Sequence, residues 1–455
     1  MKYRLGACPI IENLLQKSWI CAIFRFFSSN RAILLLIVTI SSDAKVSVSE
    51  QSRLANDLTP FGAQRSGNGA EIPAWNGEDH ANLDEKPLII ISHENMQKHA
   101  EQLTAGQKAL LTQYPSFEMP IYATHRTAIA PQWVYENTAK NALNANLNAE
   151  KTGVQSALAG IPFPIPQSAL EVYFNHISRW RGQQIKNRAS DAVVYKKGNF
   201  TLFTRQTIAR FDGYIEKTNS PYFVSLVAKI LAPANKSGGG ILVREPLDQL
   251  HNKRLAWSWD KGRRRTIRAP NIAYDNPVTS ASSLRTVDDA DLINGSPDRF
   301  DWELLPKQDI YVPYNNLKLS DKKLKYSDIL KPYHINPKLS RYELHRVWVL
   351  QATLKEKWRH VYSKRIFYID EDSWQVLAAD QYNKQGQLWR VSLSYPKFYP
   401  QMPGIFPVIN VFHDLKSQKY HVMGLQNEED AEIEFNGELA KDSLFTPSGF
   451  KRYMR

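Results

Sequence analysis

The sequence predicts an α+β protein in which a curved antiparallel sheet forms a half-open β-barrel covered by helices. Beyond Gly182 the chain consists of many short segments in which apolar and polar residues alternate, each bounded by Gly, Pro, Asn or Asp. This pattern is typical of antiparallel strands. Two helical stretches precede these segments. Phe, Trp and Tyr make up 11% of the 455 residues, which suits a half-buried sheet or a lipophilic cavity as well as ordinary core packing.

The first 44 residues are typical of a cleavable signal peptide. Five basic residues precede the apolar run "AILLLIVTI" at 32–40, and Ser42 and Ala44 fit the small-residue positions of a signal-peptidase site. A helix over this run would be only ~14 Å long against a ~30 Å hydrocarbon core, so a membrane span is the weaker interpretation. The leader is long for its class, which a misplaced start codon would explain. We expect cleavage after Ala44 and a soluble periplasmic protein, with association with the outer membrane left open.

The cysteines and the charge narrow the functional classes. Both cysteines, Cys8 and Cys21, lie in the leader, so the rest of the chain has no disulfide, thiol nucleophile or cysteine metal ligand. The leader holds five basic and two acidic residues, and its removal changes the formal net charge from +13 to +10. A charge of this size attracts anionic surfaces in general.

The densest basic run is "KGRRRTIRAP" at 261–270. It contains no interleaved aromatic residue for stacking on bases, and an exported protein meets little nucleic acid, so we do not expect a nucleic-acid partner. Two interpretations stay open. The run is either a solvated strand face or a peripheral contact with the anionic headgroups of a membrane surface.

Residues 45–90 are predicted to form an extended arm or loop, and residues 91–455 a single half-barrel domain with a helical cover. The stretch "LTPFGAQRSGNGAEIPAWNGE" at 58–78 is rich in Pro and Gly and has no sustained period. In "LTAGQKALLTQY", Thr104 and Gln107 have capping-box spacing before an apolar run. This predicts a short helix that ends at the following Tyr114-Pro115.

A second helix is predicted in "GIPFPIPQSALEVYFNHISRWRG" at 160–182. Ser168 is placed as its N-cap and Gly182 as its C-cap, and Leu170, Phe174 and Ile177 follow at helical spacing. His176 lies beside this apolar face. A lone histidine in such a position is expected to be a satisfied core group rather than a ligand.

Motif searches yield no catalytic or metal site. In "HENMQKH", His93 and His99 are six residues apart, which places them roughly 120° apart around a helix instead of on one face. "DDADLING" at 288–295 matches a calcium loop poorly, since Phe300 lies where a bidentate Glu belongs, and it is expected to be a solvated turn. The sequence contains no G-x-S-x-G, phosphate loop or dinucleotide fingerprint. We therefore predict no catalytic residue, no metal and no cofactor, although a serine triad need not be local in sequence.

The acidic stretch "DEDS" at 370–373 lies between two alternating segments, and a polar break "NKQGQ" leads to a third. This is the pattern of a meander, in which Asp and Ser favour the turns because their side chains bond nearby backbone amides. We expect Asp370, Glu371 and Asp372 to form a solvated turn. On that interpretation, exchange of Glu371 and Asp372 for Asn leaves folding nearly intact.

The meander and the preceding segment "ELHRVWVLQATL" also supply candidate ligand-binding residues, because alternate residues of a strand share one face. Alternation does not identify the concave face, and ordinary core packing explains the same residues equally well. The candidates for the lining of an apolar hollow are Trp348, Leu350, Leu377, Trp389, Val391 and Leu393.

Several blocks together resemble an exported proteobacterial family, a domain of unknown function labelled outer-membrane lipoprotein-sorting-like. The resemblance runs from about Leu54 to the C-terminus and rests on "LTPFGAQRSGN", "IPAWNG", "GIPFPIPQSALEVYFNHISRWRG", "RRRTIRAPNIAYD", "ELHRVWVLQATL", "RHVYSKRIFYIDEDSWQVLAAD" and "GQLWR". It implies a fold similar to the periplasmic lipoprotein carriers and receptors, a half-open barrel closed by helices over an apolar hollow. It also implies a genetic link to resistance-nodulation-division-type exporters. The family has no agreed catalytic residues.

The sequence thus favours a periplasmic carrier or chaperone that buries a lipid, a lipoprotein acyl chain or another lipophile, with an envelope exporter or an outer-membrane protein as its partner. A carrier works by reversible burial of apolar surface at ~25 cal/mol per Å² rather than by covalent chemistry. Two alternatives stay open: a hydrolase or modifying enzyme that acts on envelope lipid, and a scaffold subunit of an export complex.

Overall fold

The computed structural model describes residues 46–77, 84–216, 220–248, 252–269, 274–435 and 437–455. These residues fall into one compact unit. The predicted signal peptide, 1–44, lies outside the described residues.

The described residues contain six α-helices, all short. They are α1 (Val48–Gln51), α2 (Ala105–Gln113), α3 (Gln132–Asn144), α4 (Ala169–Ser178), α5 (Tyr326–Ile329) and α6 (Pro447–Met454). Short 3₁₀ segments occur at Ser52–Ala55, Met96–Gln102, Asp212–Tyr214, Thr279–Ala281, Val287–Leu292, Lys318–Ser320, Pro337–Leu339 and Asp442–Phe445. In the described part of the chain, no helix combines the length and hydrophobicity that crossing a membrane requires.

Strands dominate the rest of the described chain. The first ten are β1 (Ile89–Ile91), β2 (Met119–Ile121), β3 (Asn146–Leu147), β4 (Val154–Gln155), β5 (Gln184–Val194), β6 (Phe200–Arg210), β7 (Val224–Ala232), β8 (Gly240–Glu245), β9 (Leu255–Asp260) and β10 (Arg265–Arg268). The others are β11 (Phe300–Pro313), β12 (Tyr342–Leu354), β13 (Lys364–Asp370), β14 (Val376–Tyr382), β15 (Leu388–Tyr399), β16 (Gly404–Asp414), β17 (Lys419–Leu425) and β18 (Glu434–Phe435).

One large sheet takes up sixteen of these strands, in the order β1-β2-β12-β13-β14-β15-β16-β17-β5-β6-β7-β8-β9-β10, with β11 paired to β12 and β18 to β5. The pairing of β2 with β12 is parallel, and the others in this sheet are antiparallel. The sheet is curved and does not close, since β1 and β10 stand at opposite ends of the order. The predicted fold class, an open half-barrel of antiparallel strands with helices, is confirmed.

Both faces of the sheet are covered along its central strands. On one face α2 packs on β14 and β15 over a cluster that includes Val391 and Leu393. On the other face α4 packs on β11 and β12 over a cluster that includes Phe367 and Trp374. At the far end, α6 covers one face of β8–β10, over Leu242. The other face of β7–β10 faces away from α6.

Local capping signals in the sequence give the correct helix starts. Thr104 and Ser168 each accept the N–H of the residue three positions on, and both helices show the reciprocal capping box. The predicted C-cap of α4 is wrong. The helix ends at Ser178, because Arg179 has an extended backbone (φ −55°, ψ 155°) and turns its side chain toward a partner elsewhere in the chain. Gly182 has φ +84° but lies beyond this end.

Candidate functional site

A cavity of about 330 Å³ lies between α4 and one face of the sheet, formed there by β5–β8, β16 and β17. This volume is at the lower end of the ~300–1,000 Å³ range of small-molecule pockets. Residues 290–295 close the cavity beside α4. The apolar part of its lining includes Ile177, Ile185, Ala209, Leu226, Val243 and Phe406.

Strand register explains why these side chains meet. Ile185 pairs with Ala209, Ala209 with Leu226, and Leu226 with Val243. Directly opposed residues of neighbouring strands project from the same face of a sheet. A single row of apolar side chains therefore crosses β5, β6, β7 and β8 and forms the floor of the cavity.

Helix α4 forms the cover. Phe174 and Ile177 are three residues apart, so they lie on one face of the helix, and both line the cavity. His176 is fully buried on the adjoining face, where the Val376 N–H donates to its Nδ1 at 3.2 Å. Burial, assisted by Arg179, lowers the pKa of His176 to about 3. The neutral imidazole thus joins α4 to the start of β14. His176 is buried in the core as predicted, but it is only partly satisfied, because its Nε2 has no hydrogen-bond partner among the described residues.

Asp291 fixes the end of the cover by binding two arginines that follow α4. Its Oδ2 lies 2.7 Å from Arg179 Nη2 and 2.6 Å from Arg181 Nη1. Burial works to raise the pKa of Asp291, but Arg179 and Arg181 hold it below its usual range. Burial and the neighbouring Arg179 lower the pKa of Arg181 to about 10. One carboxylate faces two guanidinium groups here, so the cavity wall has excess positive charge.

Polar groups interrupt the apolar lining. Asn187 and Asn410 both line the cavity, and the Oδ1 atom of each is buried without a hydrogen-bond partner among the described residues. An unsatisfied buried acceptor is unfavourable by about 1–3 kcal/mol unless water or a ligand donates to it. Two ion pairs also contribute side chains to the lining: Arg205 with Asp191 at 3.2 Å, and Arg254 with Glu245 at 2.5 Å. The cavity therefore suits a molecule that is mainly apolar but has a polar group.

The six predicted residues do not line this cavity, and they fall into separate groups instead of one lining. Leu377, Val391 and Leu393 are fully buried in the cluster under α2, on the opposite face of the sheet. Ligand binding by the six stays a prediction, and the position of these three fits the alternative of core packing.

Of the other three predicted residues, Leu350 and Trp348 belong to the cluster under α4, and Trp389 lies apart from them. Leu350 is buried in the cluster under α4, and Trp348 is stacked on Trp374 at 5.9 Å between ring centroids. Trp389 lies at a β-bulge and packs edge-to-face on Tyr362. The bulge breaks the simple alternation that placed Trp389 beside Val391 on one face.

Sequence reasoning missed the cavity residues on β5–β8, although their signal was present. Alternation in these strands puts Ile185 and Asn187 on one face, and Thr207 and Ala209 on the paired face of β6. What the sequence did not show is that Phe174 and Ile177 of α4, a helix that packs on β11 and β12, also lie across the cavity from these strands.

The acidic turn is a turn, as predicted, but the expectation that it is solvated is wrong. Asp370, Glu371 and Asp372 are 0%, 3% and 4% exposed. Asp372 accepts two hydrogen bonds from Arg126, from Nε at 2.8 Å and from Nη2 at 2.7 Å. Lys307 Nζ lies 2.9 Å from Glu371. Burial raises the pKa of Glu371, with Lys307 acting in the opposite direction.

His345 and Asp370, with Asp372, bring ligand atoms within 4.8 Å of one another, a spacing that a metal ion could use. Their atoms already have charged partners. His345 lies between Glu343 (3.3 Å) and Asp370 (3.4 Å). Burial works to lower the pKa of His345, but the two carboxylates raise it to about 9. The protonated imidazole pairs with both carboxylates, so the three residues take part in a buried ion-pair network, and a metal ion would have to displace the imidazole proton to bind here.

The second acidic stretch, predicted as a solvated turn, is also buried. Asp288 and Asp289 are 4% and 1% exposed, and Arg365 lies 2.8 and 2.9 Å from them. His360 and Tyr362 complete the group through Nε2 and the hydroxyl. Both acidic stretches are buried for the same reason: each has an arginine partner that lies more than seventy residues away in the sequence.

Three comparisons relate the chain to known proteins. A family model described as "Protein of unknown function (DUF1329)" matches residues 90–451. The Pseudomonas aeruginosa protein PA3922, described as uncharacterized, is 39% identical over 429 residues, which cover 90% of this chain and 94% of the relative.

Solved structures of low sequence identity are also similar. An outer membrane lipoprotein-sorting protein domain from Vibrio parahaemolyticus is 12% identical, with a TM-score of 0.41 over 62% of this chain and 98% of that one. A DUF1329 family protein from Desulfovibrio piger is 14% identical, with a TM-score of 0.40 over 61% of this chain and 94% of that one. A LolA superfamily protein from Nitrosomonas europaea is 13% identical, with a TM-score of 0.37 over 62% and 98%.

Proposed function

The chain belongs to the DUF1329 family, and we propose that it is a carrier that binds a hydrophobic molecule reversibly in the cavity beneath α4. The observation that carries the proposal is the cavity itself, 330 Å³ in volume, with an apolar floor from four strands and a helix as its cover. Transfer of apolar surface from water into such a space is favourable by ~25 cal/mol per Å².

The size of the cavity and its polar groups define the ligand further. A volume at the lower end of the ligand-pocket range suits one acyl chain or a small lipophile rather than several chains together. Asn187 and Asn410 each offer an unsatisfied Oδ1 atom to a hydrogen-bond donor at a polar end of the ligand. Arg181 adds positive charge at the same wall. We infer a ligand with one apolar tail and a polar or anionic head.

The proposal includes a place in the cell envelope. The basic and apolar pattern of residues 1–44 supports export to the periplasm and removal of the leader. A carrier there exchanges its ligand with a membrane protein, and we propose an envelope exporter or an outer-membrane protein as that partner.

Filling the cavity tests the proposal. Ala209 lies in the middle of the floor, and its side chain projects into the cavity. Ala209→Phe is expected to weaken binding of a dansyl-labelled fatty acid at least about tenfold, because the added ring occupies the space of the ligand. Fluorescence titration measures the affinity, and thermal unfolding of the same sample reports on the fold.

Two further variants make the result decisive. Ala431→Phe adds the same ring at an exposed position and should bind the probe as the parent does. Leu226→Asn makes the half-buried floor polar while keeping the number and branching of the side-chain heavy atoms, and it should also weaken binding, even if Ala209→Phe proves unstable. Unchanged affinity in folded Ala209→Phe and Leu226→Asn would place the ligand elsewhere, and chemical turnover of a bound lipid would favour the hydrolase.

A further inference from the structure

The excess positive charge of the chain lies at one edge of the sheet. The sequence ranges 224–269 and 441–455 include β7–β10 and α6, and they contain fourteen Lys or Arg and four Asp or Glu. The whole chain has 58 basic residues (Lys or Arg) and 45 acidic residues (Asp or Glu), and the leader holds five basic and two acidic ones. The residues outside the leader and these two ranges therefore contain 39 basic and 39 acidic side chains. Outside the leader, this edge region therefore accounts for the entire net charge.

One exposed part of the edge region is a basic tip, formed by the turns β7–β8 and β9–β10 and by the edge strand β10. The two turns lie side by side, because Lys261 Nζ donates to the Ser237 carbonyl at 2.8 Å. Asp260 is the acid next to the tip, and it lies 3.8 Å from Arg263. The basic tip consists of Lys236, Lys261, Arg263, Arg264, Arg265 and Arg268, all exposed.

An apolar path leads from the basic tip toward the cavity. Ile267 is 36% exposed and pairs with Ser258, which pairs with Ile241, which pairs with Ala228. This row lies on the face of the sheet turned away from α6. It is two residues along each strand from the cavity-lining pair of Leu226 and Val243, on the same face. Positive charge and half-exposed aliphatic side chains thus occur together at the rim of the cavity face.

We propose that the basic tip docks the protein on an anionic lipid bilayer, with its Lys and Arg side chains on the phosphate groups of the lipids. Charge complementarity supports this partner, since each Lys or Arg near an anionic membrane contributes about 1 kcal/mol. Ile267 can reach the apolar part of the interface from the same strand. Nucleic acid fits less well, because no aromatic residue for base stacking occurs in 261–268. The proposal does not depend on the identity of the cavity ligand.

Vesicle binding tests the proposal. The triple variant Arg263→Gln, Arg264→Asn, Arg265→Gln removes three charges, and Asn is used at Arg264 because its φ is +48°. Each lost side chain should lower the partition coefficient onto anionic vesicles about fivefold. The triple variant should therefore bind phosphatidylcholine vesicles that contain phosphatidylglycerol about 100-fold more weakly than the parent. The parent should bind phosphatidylcholine alone weakly and should leave the anionic vesicles as salt is raised. Sedimentation of vesicles with the full chain measures each case.

A matched control removes equal charge elsewhere. Lys196, Lys197 and Lys384 are exposed in the β5–β6 and β14–β15 turns, and their exchange for Gln should leave vesicle binding close to that of the parent. Equal losses in the two triple variants would show unspecific charge attraction and overturn the proposal. If the tip variant aggregates but still binds vesicles, the arginines serve to prevent the free sheet edge from pairing with other chains, and the proposal is wrong. Parent binding to an oligonucleotide as tight as to vesicles would overturn the choice of lipid.

The outcomes for the basic tip and the cavity are separable. Ala209→Phe should still sediment with anionic vesicles, and the tip variant should still bind the dansyl-labelled fatty acid in solution. A loss of both activities in either variant, with the fold intact, would contradict the assignment of separate surfaces.

Discussion

Asp380 is a buried carboxylate at the start of α2, where it accepts the Gly106 N–H at 3.1 Å and the Tyr368 hydroxyl at 3.3 Å. Burial raises its pKa to about 7. The folded state therefore binds this proton more tightly than the unfolded chain, in which the pKa is about 3.9. The resulting stabilisation is complete below pH ~4 and is lost as the pH rises through ~7.

Replacement of Asp380 by Asn should remove this pH dependence, since the amide oxygen still accepts hydrogen bonds but cannot ionise. We expect the free energy of unfolding of Asp380→Asn to exceed that of the parent at pH 8, by roughly 2 kcal/mol, and to vary less between pH 4 and 7. Urea unfolding at pH 5 and pH 8 measures the difference. Asp301→Asn, at an exposed site, should show the same pH dependence of stability as the parent. If the stability of Asp380→Asn also varied with pH as that of the parent does, this explanation would be wrong.

The acidic turn gives a second prediction at the residue scale. Arg126 is a buried cation with both carboxylate oxygens of Asp372 as partners. Loss of one member of a buried ion pair typically destabilises by about 3–5 kcal/mol, so Asp372→Asn should lower the melting temperature clearly. Asp430→Asn serves as the control, since Asp430 is 95% exposed. An unchanged melting temperature for Asp372→Asn would show that the ion pair of Asp372 with Arg126 does not stabilise the fold.

At the scale of elements, the cover helix α4 depends on a single carboxylate. Asp291 binds Arg179, which is 1% exposed, and Arg181, which is 12% exposed. Asp291→Asn leaves two buried guanidinium groups facing each other, and we expect a loss of ~2 kcal/mol or more, discounted because Asp291 is partly exposed.

The effect of Asp291→Asn should be local to the cover. Amide hydrogens of α4 should exchange faster than in the parent, while those of α2 on the opposite face stay protected. Asp57→Asn breaks an exposed pair with Arg53, whose side chains are 48% and 56% exposed, and should change stability by less than about 1 kcal/mol. Equal exchange of α4 in the parent and in Asp291→Asn would show that packing alone holds the cover.

At the scale of the whole molecule, local signals in the sequence predict the elements but not their partners. Thr104 and Ser168 mark helix starts because a capping box involves residues only three positions apart. The strands follow from alternation. The pairing of β17 with β5 joins residues more than two hundred positions apart, and no local pattern encodes it.

The same limit explains the errors at the candidate site. The cavity needs β16 and β17 beside β5–β8, and α4 above them, an arrangement set by long-range pairing. The acidic stretches were expected to be solvated because the sequence does not show that Arg126 and Arg365 are their partners. A β-bulge at Trp389 also changes which residues share a face. The half-barrel could be predicted from the sequence, whereas the position of its cavity could not.

The most direct test of the carrier function is the content of the cavity in protein taken from the cell envelope. The purified full chain is extracted with organic solvent, and the extract is analysed by mass spectrometry beside that of Ala209→Phe and Ala431→Phe. The account predicts a lipophile in near-stoichiometric amount in the parent and in Ala431→Phe, and its loss from Ala209→Phe. A lipophile that is absent from the parent, or equally abundant in folded Ala209→Phe, would contradict the assignment of this cavity to a carried ligand.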